Sequence, residues 1–348
     1  MSCTCFPNRP GLLQTNKRIM SLGASLIFRQ IQDRFIYLDC FLMPYAAKKK
    51  FFVNSDIFKE LHILNHRYLL RIFIFLFLYL SSSATAIYCN DFIVNYGFLV
   101  AIPFYILAGA SLHGICLFTH EGVHGTLHEI PWINNLIGSL TGYPVLQTLA
   151  GYRVLHLKHH KYLNIDGDPG LLENYYTNKY VIAAMEWGYF IFGYISFLSI
   201  IPFQGFCQGG NKDKILIVCD MLCITLMVIF IFWFLPINWV IHGWLIPLVY
   251  VHFMMNIRGM SQHLMLEDHH DPFKGTRTII PHPVVTFFLC NENYHIEHHV
   301  YPGIPWYNLQ KVHHILKPEL KAKGSTIIYS FSEFISQFVR TSKTRISA

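Results

Sequence analysis

Long apolar stretches with few charged residues dominate the pattern of this chain. They cover residues 68–88, 92–113, 215–235 and 238–255. Each has about 20 residues, enough for a helix with a rise of about 1.5 Å per residue to cross a bilayer core of about 30 Å. A short polar turn joins the first stretch to the second, and the tight turn Pro236-Ile237 joins the third to the fourth. The pattern therefore predicts two membrane-crossing helical hairpins.

A fifth apolar segment, residues 180–203, lies between the hairpins, but it carries Glu186 and is followed by the pair Gly209-Gly210. A crossing here would place the regions before and after it on opposite sides of the membrane. The basic residues that flank the hairpins argue against this, because the positive-inside rule places them all on the cytoplasmic face. We predict that the segment is interfacial or partly buried. The flanking basic residues are Arg153, Lys158, Lys161, Arg258, Lys274, Arg277, Lys311 and Lys317.

Composition supports a membrane protein. Of the 348 residues, 53% are hydrophobic and only 14% charged, whereas soluble domains carry roughly a quarter. The nine cysteines form no CxxC pair, which argues against a disulfide framework or a zinc ribbon. Residues 1–10 lack the features of a signal peptide, and Lys48-Lys49-Lys50 precede the first hairpin. The net charge of +7 is thus interpreted as a topology signal and not as nucleic-acid binding.

These patterns predict an all-α, multi-pass integral membrane protein with four transmembrane helices in two hairpins and a cytoplasmic helical cap. We expect a cytoplasmic N-terminal tail over residues 1–66, the membrane domain over residues 67–316 and a cytoplasmic C-terminal tail over residues 317–348.

Histidine is unusually abundant, with 20 residues. Eight of them form three clusters that fall on the predicted cytoplasmic side, in the cap. Because positions i, i+3 and i+4 of a helix share one face, each cluster should aim its imidazoles at a common point. Eight converging nitrogen donors predict a site with more than one metal ion. These three histidine boxes are His120 and His124; His156, His159 and His160; and His295, His298 and His299.

Other interpretations of the boxes compete. A single histidine at a membrane interface is as often an amphipathic anchor as a metal ligand, but three clusters at these spacings disfavour the interpretation as anchors. Four-coordinate zinc would be saturated by half of the ligands, whereas two irons with an open position could use them all. The strings Glu121-x-x-His124 and Glu292-x-x-His295 match the carboxylate ligands of soluble di-iron bundles. That alternative leaves the doubled histidines unexplained.

The pattern HxxxH, HxxHH and HxxHH, placed after two hairpins, resembles the integral-membrane fatty acid desaturase and hydroxylase superfamily. The resemblance covers roughly residues 67–316. It extends to the segments Gly125-Thr126-Leu127-His128, Asp166-Gly167-Asp168-Pro169, Arg258-Gly259-Met260-Ser261-Gln262-His263, and Asn293-Tyr294-His295 through Pro302 and Trp306.

The resemblance implies a centre of two non-haem iron ions that activates O2 with two external electrons and removes hydrogen from an unactivated CH₂ group. It also implies a ninth ligand just before the third box, for which we select His263. His128 is the rival if the helix of the first box continues that far. His269 and His270 lie among acidic residues and are expected in a solvated loop.

The leading hypothesis is an O2-dependent lipid desaturase that acts on an acyl chain, with its active site on the cytoplasmic side. A di-iron hydroxylase or ketolase of a lipid or carotenoid is an alternative, and a non-catalytic metal carrier is a second class. The chain contains no His-Pro-Gly-Gly haem signature and no iron–sulfur cysteine spacing. Electrons are therefore expected from an external ferredoxin or haem protein of the cytochrome type, docked on the basic face.

Two further groups of residues carry weaker signals. Trp132, Tyr143, Tyr152 and Trp306 could line an acyl channel, but aromatic residues of membrane proteins are more often interface anchors, which we favour for most of them. Asp166 and Asp168 could hydrogen-bond ligand histidines, although their segment is equally typical of a plain turn. We leave both aspartates out of the predicted site.

Overall fold

The computed structural model of the protein describes residues 55–93, 95–266 and 270–347, and nearly all of its regular structure is helical. The helices are α1 (Ser55–Leu61), α2 (Leu70–Phe92), α3 (Gly97–His124), α4 (Pro131–Gly142), α5 (Leu149–Tyr162), α6 (Lys179–Gln208), α7 (Asn211–Phe234), α8 (Ile237–Val240), α9 (Ile246–His263), α10 (Pro272–Gly275), α11 (Pro283–Phe288), α12 (His295–Val300), α13 (Leu309–Lys323) and α14 (Phe331–Ser347). The strands are β1 (Arg277–Ile279) and β2 (Thr326–Ile328).

Within the described residues, four stretches are long and apolar enough to cross a membrane. They are Asp56–Phe92, Gly97–His124, Asn211–Phe234 and Ile237–His263. The prediction of about four spanning helices is confirmed. The second and fourth stretches extend further than the sequence pattern suggested, so the first histidine box and His263 lie in the last turns of α3 and α9. The expectation that all three boxes lie outside the apolar, membrane-length helices is therefore wrong for the first box, whereas the second and third boxes lie on the shorter helices α5 and α12.

The two pairs of spanning helices pack differently. Helices α2 and α3 run alongside each other, whereas α7 packs chiefly on α5 and α6, and α9 packs on α3 and α6. Gly109 permits the close approach of α3 to α9, because a Cβ there would lie 2.6 Å from the Cβ of Tyr250. Small residues allow such contacts between helices in membranes. The second pair is therefore held by its neighbours more than by its own mutual packing.

Helix α6 contains the fifth apolar segment of the sequence. It bends by 86° between Lys179–Ile195 and Phe197–Gln208, and Pro202 lies within its second half. A bend this sharp is the geometry of a broken span or a re-entrant segment. In its second half the helix packs on α5, where a Cβ on Gly205 would lie 2.7 Å from the Cα of Gly151.

Both ends of the described chain pack onto the rest of the protein. Near the N-terminal end, Leu61 of α1 is buried in a core cluster with Tyr301 and Leu316. Near the C-terminal end, β2 pairs in parallel with β1, with Arg277 opposite Thr326. Helix α14 then buries Phe334 against Met260 of α9. The all-α prediction missed this two-stranded sheet, because three-residue strands leave no periodic signal.

Candidate metal centre

Nine of the histidines meet in two adjoining clusters. Cluster A contains five buried imidazoles whose ligand atoms all lie within 4.8 Å of one another. Its Nε2 atoms face each other at short range: 3.0 Å from His156 to His124, 3.0 Å from His160 to His156, and 3.1 Å from His298 to His160. The members of cluster A are His120, His124, His156, His160 and His298.

Cluster B contains the other four imidazoles. Ligand atoms of His159, His263 and His299 lie within 4.8 Å of one another. His295 joins them, because its Nε2 lies 2.8 Å from that of His263 and 3.0 Å from that of His299. The clusters touch where the rings of His160 and His299 stack, with centroids 4.1 Å apart. The structure therefore places His263, which belongs to no box, in direct contact with histidines of the second and third boxes.

The boxes do not correspond to the clusters, which corrects the expectation that each box aims at one point. In the second box, His156 and His160 belong to cluster A while His159 belongs to cluster B. The physical reason is the helical angle of about 100° per residue, which turns His159 and His160 to different sides. The third box divides in the same way. In both boxes, the histidines at i and i+4 belong to one cluster, and the histidine at i+3 belongs to the other cluster.

The short distances between the imidazole nitrogens are better explained by metal binding than by hydrogen bonds between the histidines. Two neutral imidazoles that face each other through Nε2 can share only one proton, so such contacts cannot all be hydrogen bonds. Two nitrogen atoms bound at right angles to one ion through bonds of about 2.1 Å would lie about 3.0 Å apart. Both nitrogens of the buried His120 have no hydrogen-bond partner among the described residues. The residues therefore fit a metal site in each cluster.

The protonation of the box histidines agrees with this fit. Burial lowers the pKa of His156, His160 and His298 well below the usual histidine value, and neighbouring imidazoles lower it further. The same causes lower the pKa of His295 and His299. These groups are neutral at physiological pH, which is the form that binds metal.

Carboxylates lie behind one histidine of each cluster. In cluster B, Nδ1 of His159 lies 2.9 Å from Oδ1 of Asp168. Burial raises the pKa of Asp168, but the hydrogen bond with His159 and those from two backbone amides outweigh it and hold the pKa below its ordinary value. In cluster A, Nδ1 of His120 lies 3.3 Å from Oε1 of Glu292. Glu121 lies beside them and accepts hydrogen bonds from Thr126 Oγ1 and the Trp306 amide.

Helix α12, which supplies ligands to both clusters, is held in place by its own buried glutamate. Oε1 of Glu297 lies 2.6 Å from Nδ1 of His313 on α13, and its Oε2 accepts a hydrogen bond of 2.6 Å from Thr278 on β1. Glu297 lies two residues from both His295 and His299, about 200° around the helix, and therefore points away from those two imidazoles. The third box is therefore fixed against two neighbouring elements.

The two other helices that carry cluster B histidines are held at their ends by charged side chains. Asp220 of α7 accepts a hydrogen bond of 3.1 Å from the amide of Ala150, in the first turn of α5. Arg277 donates hydrogen bonds of 2.6 and 3.2 Å to the carbonyls of Ser261 and Leu264, at the C-terminal end of α9. Both contacts satisfy backbone groups that a helix leaves unpaired at its ends.

The rival histidines lie elsewhere. Helix α3 ends at His124, where Gly125 adopts a left-handed φ of 76°, so it does not continue to His128 as that alternative required. The ring of His128 stacks instead on His66, with centroids 4.6 Å apart. His270 contacts the carbonyl of Leu163 at 3.4 Å and belongs to neither cluster. His269 lies outside the described residues.

The four aromatic candidates do not behave alike. Trp132 is exposed, as an interface anchor would be, and Tyr143 donates a hydrogen bond to Asp220. Trp306 is buried in the core. The ring of Tyr152 lies against His156, with centroids 4.9 Å apart. Trp132 therefore has the exposure expected of an interface anchor, whereas Tyr152 contacts a box histidine and Trp306 is buried.

Several carboxylates that contact the box histidines or their helix are not part of the site predicted from the sequence. They are Asp168, Glu121, Glu292 and Glu297. The available signal was position, since Glu121 and Glu297 lie inside histidine boxes and Glu292 shortly precedes one. Burying an ionised carboxylate costs free energy unless it has a charged or hydrogen-bonding partner, so carboxylates in or beside the boxes are expected to contact the histidines or their neighbours.

The fatty acid desaturase family model matches residues 96–331, well over half of the chain. An sn-1 oleoyl-lipid 12-desaturase of Picosynechococcus sp. is 25% identical over 260 residues, covering 68% of this chain and 74% of the relative. An sn-1 acyl-lipid omega-3 desaturase (ferredoxin) of Nostoc sp. is 26% identical, covering 62% and 67%. A sphingolipid delta(4)-desaturase of Drosophila melanogaster is 23% identical, covering 79% of each. With the three histidine boxes inside the matched region, this extent shows that the chain belongs to the fatty acid desaturase family.

Proposed function

We propose that the protein is an O2-dependent di-iron desaturase that introduces a double bond into an acyl chain of a membrane lipid. The observation that carries the proposal is the convergence of nine imidazoles in two adjoining clusters at the ends of apolar, membrane-length helices. The relatives support a lipid substrate, because their names state oleoyl-lipid, acyl-lipid and sphingolipid desaturases.

In this proposal each cluster holds one metal ion. Cluster A would bind one iron and cluster B the other. When bound, the irons supply the activation of O2, so that two external electrons, two protons and two hydrogens from adjacent CH₂ groups yield a double bond and two waters. The protein orients the imidazoles through the carboxylates behind them. Buried apolar side chains around α3, including Phe118 and Leu127, keep water from the site.

The same proposal requires an external electron donor. The described chain presents exposed lysines along α13, at Lys311, Lys317 and Lys321. A basic surface of this kind favours an acidic ferredoxin or a small acidic haem protein through complementary charge. The name of the relative from Nostoc includes ferredoxin, which supports a donor of this class.

We also propose that the metal clusters face the cytoplasm, as the distribution of basic residues suggests. Cys89 is buried and cannot report on sidedness, but Tyr96, in the turn between α2 and α3, is 65% exposed. An impermeant thiol reagent applied outside intact cells should label a Tyr96→Cys variant and spare a Lys311→Cys variant. The opposite labelling would reverse the proposed orientation.

Mass spectrometry of lipids tests the proposed activity. Cells that express the chain should accumulate, only in the presence of oxygen, a lipid class that is 2 Da lighter than in control cells. Cells that express His156→Ala should match the control. A product 16 Da heavier would indicate a hydroxylase, and the absence of any oxygen-dependent product from iron-loaded protein would indicate a metal carrier.

A further inference from the structure

Asp168 is the most completely bonded carboxylate near the clusters. Its side chain is 1% exposed. Nδ1 of His159 lies 2.9 Å from its Oδ1 and 3.0 Å from its Oδ2. The amides of Gly170 and Asn164 donate hydrogen bonds of 2.8 and 2.9 Å to the same two oxygens. The carboxylate is thus held by the backbone of its own loop before it meets the imidazole.

The loop around Asp168 is built to keep the carboxylate still. Gly167 adopts a left-handed φ of 95°, which turns the chain sharply just before the aspartate. Asn174 donates a hydrogen bond of 2.9 Å to the backbone carbonyl of Asp168. Backbone and side chain of this residue are therefore both fixed, and the position of the carboxylate does not depend on His159.

This arrangement determines which nitrogen of His159 carries the proton. An ionised carboxylate only accepts hydrogen bonds, so Nδ1 of His159 donates the hydrogen bond; in a neutral imidazole with the proton on Nδ1, the lone pair is on Nε2. The ring of His159 lies close to those of His263 and His299, with centroids 4.6 and 5.2 Å away. The lone pair is thus available to cluster B.

We infer that Asp168 is a positioning residue that fixes the ring and tautomer of His159, and that it thereby sets the metal affinity of cluster B specifically. The inference rests on the proposed function in one respect, namely that cluster B holds an ion. Carboxylates behind metal-bound histidines commonly change metal affinity by about 10- to 100-fold when they are replaced. Among the described contacts, the Asp168 side chain bonds to His159 and to two backbone amides of its own loop, and to no histidine of cluster A.

The chain offers a matched control in the same loop. Asp166 is two residues away and exposed, and none of the described contacts involves it. Asp168→Asn and Asp166→Asn remove the same charge from the same segment. Both also replace a pure acceptor with a group that can donate, but only Asp168→Asn does so at the carboxylate that contacts His159, so that Nδ1 of His159 no longer has to carry the proton.

The experiment uses the purified full-length protein loaded with iron. Iron per chain is measured by elemental analysis across a series of chelator concentrations, together with the Mössbauer spectrum and the melting temperature of the metal-free protein. For Asp168→Asn we expect one of the two irons to be lost at a roughly 10- to 100-fold lower chelator concentration, with a changed spectrum of that iron only. Asp166→Asn should match the wild type, and Asp168→Glu should recover part of the affinity.

Each other outcome is decisive. Wild-type iron affinity and spectrum in Asp168→Asn would overturn the inference, as would a lower melting temperature of the metal-free protein with unchanged affinity in the folded fraction. If Asp168→Asn does not fold, unchanged affinity and spectrum in Asp168→Glu, which displaces the carboxylate, would also overturn it. Failure of the proposed function is distinguishable, because a wild-type protein that binds another metal or forms no desaturated lipid contradicts that function while the comparison of variants remains informative.

Discussion

Clusters A and B lie side by side but are assembled differently. Cluster A consists of two pairs at i and i+4, from α3 and α5, plus His298, and all five side chains are buried. Cluster B has one such pair, from α12, together with His159 and His263, which are partly exposed. Cluster A is thus largely a product of helical spacing. Cluster B depends on distant elements that meet only in the folded protein.

The largest expected effect comes from removing one ligand from each cluster. His298→Ala in cluster A and His263→Ala in cluster B should each reduce turnover by at least about 100-fold and lower the iron content, because the removed nitrogen has no substitute. Product formation and iron per chain are the measurements.

His128→Ala is the control for this pair, since His128 lies outside both clusters. It should keep at least part of the iron and activity. A His263→Ala protein with full iron content and normal turnover would remove His263 from the ligand set and leave cluster B with three histidines.

A chelator should remove the metal ions of the two clusters at different rates. Because two histidines of cluster B are partly exposed while cluster A is enclosed, a chelator should remove the iron of cluster B first. We expect the iron content of wild-type protein to fall in two phases, through a stage with about one iron per chain. The measurement is elemental analysis at intervals after addition of the chelator. Loss of both irons in a single phase would contradict the difference in enclosure.

A smaller effect is expected from Glu297→Gln, which should act on both clusters alike. The change weakens the hydrogen bonds that tie α12 to His313 and Thr278, and hydrogen bonds to charged groups contribute about 1.5–3 kcal/mol. The melting temperature should fall, with both iron affinities reduced by similar factors. Glu319→Gln on α13, which lacks these buried contacts, serves as control. A change confined to one cluster would show that α12 is not a shared support.

Sequence periodicity was sufficient for the parts of the structure that repeat locally. The four apolar stretches predicted the spanning helices, and the i, i+4 spacing of His120 with His124 predicted a shared face. The end of α3 was not predicted, because it depends on the left-handed conformation of Gly125. The pairing of β1 with β2 joins segments almost fifty residues apart, and no local pattern encodes such a contact.

Asp168 illustrates the same limit at the site. Its segment is as consistent with a plain turn as with a role at the metal, and only the three-dimensional contact with His159 distinguishes the two. Asp166 has the same side chain in the same turn and lies exposed. The selection of His263 came from a resemblance, since its spacing from the boxes carries no helical signal.

The parallel pairing of β1 with β2 also bears on the order in which the protein can be completed during synthesis. Ile279 of β1 pairs with Ile328, so the ribosome must add roughly fifty further residues before this partner emerges, which takes on the order of several seconds at about 5–20 residues per second. All nine clustered histidines have been synthesised by then, yet the strand that contacts α12 still lacks its neighbour. A metal ion supplied before this point would meet an unfinished site, so loading of the proposed irons would belong to the last stage of the protein's maturation.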